Sequence, residues 1–97
     1  MRGEIVAIDL ETTGLTWDHD HIIEIGAVRM REGEIVDEFT TLVNPGCPIP
    51  DFITQLTNIR DEDVLDAPGI HAVIPLLRGF VGSSPWIAHN ISFDWSF

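Results

Sequence analysis

The chain has 97 residues, enough for one small domain with a thin core. It carries 16 acids against 5 arginines and no lysine, a net charge of −11, which argues against a protein that coats nucleic acid through its own cations. No apolar stretch reaches the length of a membrane span and acids come too early for a signal peptide; with Cys47 as the single cysteine, a cytoplasmic, reducing setting is expected.

The first predicted strand runs from about Glu4 to Glu11. Side chains alternate across a strand, so Ile5, Ala7, Asp9 and Glu11 share one face and Val6, Ile8 and Leu10 the other. Both faces are apolar up to Ala7 and Ile8, as in a strand inside a covered sheet. Two carboxylates then follow on one face. Cα atoms two apart on a strand lie roughly 6.5 Å from each other. Two anions this close need a positive partner, and oxygen ligands suit a hard divalent cation such as Mg²⁺ or Mn²⁺. Two ordinary surface acids at a strand end are the alternative.

Thr12, Thr13 and Gly14 turn the chain into the polar loop LTWDHDH. His19 and His21 there, with Asp18 and Asp20, have nothing to fix a metal geometry and read as a solvated loop. A second strand is expected over Ile22 to Met30 and a third over Ile35 to Val43. They are joined at Arg31-Glu32-Gly33-Glu34 as an antiparallel hairpin. Glu24 on the second strand reads equally as an outer partner of a metal site or as a plain strand charge. NPGCPIP stops the sheet, and Cys47 within it is an inert loop residue.

A short helix is expected over Asp51 to Leu56 and a further turn over Asp61 to Leu65. Ile70, Val73, Ile74, Leu77, Phe80 and Val81 fall at helical spacing and predict one apolar stripe, with His71 beside it in a structural role. Pro75 should kink that helix or shorten its first half. Trp86 to Ala88 begins a fourth strand, and HNISFDWSF leads toward another helix. Three antiparallel strands, helices and a returning strand make an α/β pattern with one sheet face left uncovered. The apolar-rich segment Trp86 to Phe97 is expected to mediate self-association or to pack against further sequence, the alternative being that Phe93 and Trp95 fold back into the core of a monomer.

DLETTG together with HNISFD resembles the DEDD-type 3′–5′ exonucleases, the proofreading superfamily with a ribonuclease H-like fold. Asp9-x-Glu11-Thr12 matches the family's first motif, and His89-Asn90-x-x-Phe93-Asp94 its second. IIEIGAV, the NPG loop and Asp66 to Pro68 look like the bacterial proofreading-subunit (epsilon-like) branch, so the resemblance runs over nearly the whole chain. Chance matches to DxETTG are on the order of one per million positions.

The resemblance implies a ribonuclease H-like mixed sheet with flanking helices and phosphodiester hydrolysis at nucleic-acid 3′ ends by two metal ions, Mg²⁺ or Mn²⁺. By motif position Asp9 bridges both metals, Glu11 serves one and Asp94 the other. Thr12, with Thr13 beside it, contacts the 3′ terminus, Leu15 packs on the last base, and Asn90 holds the strand. His89 and Phe93 support the site. The family's third motif, with a His (or Tyr) and a last Asp, does not occur within these 97 residues. They are therefore expected to be the N-terminal part of one exonuclease domain, close to inactive alone. Expected partners are single-stranded DNA or RNA 3′ ends, and a polymerase or helicase that carries the domain. A non-catalytic module that keeps the fold and one metal is the competing reading. An RNase H-like endonuclease or transposase is a third, which the ETTG run and HNxxFD spacing disfavour.

Overall fold

A computed structural model describes residues 3–13 and 21–90 of the chain. Strand β1 spans Glu4–Thr12, β2 Ile22–Arg31 and β3 Glu34–Leu42. Helices α1 (Asp51–Thr57), α2 (Asp61–Val64) and α3 (Ile70–Val81) follow, and β4 (Trp86–Asn90) closes the order. The four strands form one mixed sheet in the order β3-β2-β1-β4. Strand β1 pairs antiparallel with β2 and parallel with β4, so it is central. The α/β class is as the sequence predicts. The strand ends differ by a residue or so, the usual uncertainty of element boundaries.

The β2–β3 hairpin turns at Glu32 and Gly33, both at positive φ (53° and 84°). That geometry matches the strand twist, and glycine adopts it without strain. Helix α1 ends at Asn58 with φ 64°, whose N–H donates to the Thr54 carbonyl at 2.7 Å. Asparagine tolerates this left-handed cap better than most residues.

Alternation along β1 sends Val6 and Ile8 into the core, where they meet Ile25 and Ala27 of β2, Val43, and Val73 of α3. Ile70, Leu77, Phe80 and Val81 of the predicted stripe pack around them. Helix α3 runs from Ile70 through Pro75 to Val81, so the proline does not shorten its first half. Pro75 and His71, whose carbonyl the ring leaves without its helical N–H, are both exposed, and water can satisfy that carbonyl. His71 lies outside the core, so burial gives it no structural role.

Arg29 fastens α3 to the sheet. Its guanidinium donates to Glu4 at 3.1 Å, to the Ser84 hydroxyl at 2.7 Å and to the Phe80 and Val81 carbonyls at the helix end. It also lies 5.3 Å from the centre of the Phe80 ring. Arg31 pairs with the same Glu4.

Among the described residues no helix covers the other sheet face. Ile5 is 36% exposed and Ile87, its β4 neighbour by way of Ala7, is 59% exposed. α3 covers one face of β1, and among the described residues the other is the uncovered face that the sequence pattern implies. A second cluster of Ile23, Ile49, Ile53, Ile59 and Val64 seats α1 and α2 at the far end of β2. Among the described residues no helix is long and apolar enough to cross a membrane.

Candidate active site

Asp9 and Glu11 sit on the face that α3 leaves open. The registers decide what surrounds them. Asp9 lies opposite Gly26 on β2 and His89 on β4, and Glu11 lies opposite Glu24. Directly paired residues share a face, so Asp9, Glu11, Glu24 and His89 converge on one side of three adjacent strands.

The pairing then slips. After Glu11 with Glu24 comes Thr12 with Ile22, so Ile23 has no β1 partner. The extra residue redirects the chain as bulges do. Ile22 packs against the α3 core while Ile23 joins the α1/α2 cluster. One irregularity beside the acids thus ties the strand end to both helical layers.

Thr13 closes the base of the loop that follows. It is buried, its hydroxyl accepts the His21 N–H at 3.0 Å, and its own N–H donates to the His21 carbonyl at 2.8 Å. Glu11 is held at a rigid strand end by this clamp and the β2 ladder.

The electrostatics are unbalanced. Burial pushes the Glu11 carboxyl above its ordinary range, with Glu24 and then Asp9 adding to the rise and His89 opposing it. Glu11 Oε1 is buried and makes no hydrogen bond. An orphaned buried carboxylate oxygen is costly unless something positive reaches it. An all-carboxylate set with this orphan fits a hard divalent cation. Among the described residues no three His, Cys, Asp or Glu groups already close around a point as a metal cluster. Asp94, Phe93 and Leu15, which the motifs also nominate, lie outside the described residues, as do His19, Asp18 and Asp20. Asn90 ends β4 opposite Leu10, and Thr12, half-buried, ends β1.

Sequence reasoning missed the cross-strand pairings of Glu11 with Glu24 and of Asp9 with His89. The long 13–21 connection leaves the β1–β2 register without a turn to fix it. Alternation around Glu24 was the available signal.

The model of the exonuclease family RNase_T matches residues 6–97. The chain belongs to this exonuclease family. Its mixed sheet and helices have the ribonuclease H-like fold of such exonucleases. It is 50% identical over 97 residues to the PolC-type DNA polymerase III of Caldanaerobacter subterraneus subsp. tengcongensis, and 49% over 94 residues to that of Clostridium perfringens. These alignments cover 100% and 97% of this chain but only 7% and 6% of the polymerases, so the chain spans a small part of its curated relatives. Among solved structures, exonuclease X in complex with 5′ overhanging duplex DNA is 35% identical with a TM-score of 0.74, covering 88% of this chain and 48% of that one. The nuclease domain of 3′hExo, a DEDDh member bound to rAMP, superposes with a TM-score of 0.76 at 23% identity, over 92% and 52% of the two chains, and shares the fold. Exonucleases of this family generally use divalent metal ions.

Proposed function

We propose that the chain is the N-terminal part of a 3′–5′ exonuclease domain that removes nucleotides from nucleic-acid 3′ ends, in the cytoplasm and in the service of a replicative polymerase. The observation that carries this reading is the buried, unpaired Glu11 oxygen beside Asp9 on an open sheet face, inside a chain of the exonuclease family. The polymerase relatives and the DNA-bound exonuclease X support DNA as the substrate and a polymerase as the partner.

Asp9 and Glu11, joined by Asp94, would hold two Mg²⁺ or Mn²⁺ ions. Bound there, the ions acidify the attacking water and stabilise the leaving 3′-oxygen. The chain's own contribution is placement. The central strand fixes Asp9, and the loop clamp at Thr13 with the Glu11–Glu24 register fixes Glu11. Thr12 and Thr13 would meet the 3′ terminus, Leu15 would pack on the last base, and Asn90 would hold the strand. His89, beside Asp9, supports the site with Phe93, and its positive form eases the negative charge on Glu11. A general base from a third motif would complete the site, since Mg²⁺ acidifies water less than Zn²⁺ does.

A 5′-labelled single-stranded oligonucleotide, with a free or a phosphorylated 3′ end, tests this. A polypeptide carrying this chain and a third motif should trim the free end with Mg²⁺ or Mn²⁺, spare the blocked end and stop with chelator. The 97 residues alone should trim at least about 10²-fold more slowly, the cost of losing a general base. Vigorous trimming by the 97 residues, blocked by Glu11→Ala, would overturn the need for the third motif. No metal binding and no trimming by either polypeptide would favour a non-catalytic module.

A further inference from the structure

Among the described residues Glu24 has no hydrogen-bond or ion-pair partner for its carboxylate. It lies directly across the strand pair from Glu11, and like charges so placed are destabilising. Its other strand neighbour is Leu42 of β3, which offers no charge. The nearest arginines by register, Arg29 and Arg31, are both turned to Glu4 at the opposite end of the sheet. A half-buried acid set across from another carboxylate is accounted for by a cation that the pair would share.

We propose that Glu24 is a positioning residue for the metal site: it supplies a further negative charge to the cation that Glu11 holds and keeps the Glu11 carboxylate aimed at that cation. This rests on the exonuclease reading above, and it adds to the two β1 acids a group from the neighbouring strand. The bulge at Ile23 lies immediately beside Glu24, so the residue that deforms β2 also sets this carboxylate's place. Outer carboxylates of this kind orient a ligand and raise metal affinity.

The test is Mn²⁺ titration by calorimetry of the full chain and its Glu24→Gln, Glu24→Asp and Glu11→Gln variants, with urea unfolding of each in chelator. Glu11→Gln should abolish or strongly weaken Mn²⁺ binding. Glu24→Gln should weaken it by about 10- to 100-fold while leaving the metal-free protein as stable or more so, because a like-charge contact is gone. Glu24→Asp should recover part of the affinity. A residue with only a structural role would give the reverse, lower stability and unchanged affinity. Equal Mn²⁺ affinity in Glu24→Gln and wild type would overturn the role of Glu24 and leave the exonuclease reading standing. No Mn²⁺ binding by wild type, or equal binding by wild type and Glu11→Gln, would overturn both. Loss of binding together with loss of metal-free stability would also overturn it, since the effect would then be on folding.

Discussion

The two ends of β1 carry the same chemical group in opposite settings. At Glu4 one carboxylate faces two guanidinium groups, and Arg31, with Arg29 behind it, holds its pKa below the ordinary range. At Glu11 a carboxylate faces two more carboxylates across strand and chain, and burial raises its pKa. About seven residues of strand separate a charge satisfied by the fold from one that is not, roughly 23 Å at strand rise. The difference teaches where ligand chemistry enters. The fold completes its ion pairs at one end and leaves a buried, unpaired oxygen at the other, which is where the proposed cation would bind.

The contrast breaks most sharply by substitution at Asp9. In an active longer polypeptide, Asp9→Asn should lower the trimming rate by at least about 10²-fold, the scale of losing one transition-state electrostatic contact. Glu4→Gln should leave the rate within a few-fold. Equal rates for Asp9→Asn and wild type in a gel-based time course would remove the acids from the chemistry.

The Glu4 end should dominate stability instead. Arg29→Ala removes a hydrogen-bonded cation that anchors the end of α3 and covers Phe80, and should cost about 2–3 kcal/mol. Urea denaturation reads this directly. A loss under about 0.5 kcal/mol would mean that α3 is held by its apolar stripe alone.

A smaller effect separates the ends by pH. Glu11 has a folded pKa above its unfolded one, so without metal the folded state keeps a proton that the unfolded chain releases. Stability should therefore fall as pH rises through the carboxylate range up to the folded pKa, and stay reduced above it. Glu4, with its pKa depressed, works the other way: its stabilisation is present above the unfolded pKa and fades as pH drops through the folded one. Glu11→Gln should raise metal-free stability at neutral pH and leave it unchanged in acid. Saturating Mn²⁺ should do the same to wild type at neutral pH, by about 2.7 kcal/mol at a hundredfold excess over Kd. Urea midpoints across pH, in chelator and in Mn²⁺, decide it. A wild-type neutral midpoint above that of Glu11→Gln in chelator would reverse the argument.

Much of this was legible in the residues, and unevenly. Alternation gave β1 its two faces, the Glu32-Gly33 turn gave the hairpin, and helical spacing from Ile70 to Val81 gave α3. Each rests on local geometry that neighbours in sequence enforce. What failed depended on distant parts. Pro75 is expected to kink α3 or shorten its first half, yet the helix keeps its length with His71 and Pro75 both exposed. The motif placed Asp9 and Glu11 on one face, but the Glu24 pairing came only with a register that no short turn sets.

Both arginines of β2 lie on Glu4, and the chain has no lysine. A nucleic-acid strand arriving at the acidic face therefore meets few side-chain cations, and few condensed counterions are released on its account. Single-strand binding normally weakens with salt at a log–log slope of about −0.7 for each phosphate neutralised by protein. For this chain that slope should be shallow. Its grip on a polyanion would be governed by the concentration of divalent ions far more than by that of sodium or potassium, so affinity becomes a gauge of free Mg²⁺ or Mn²⁺.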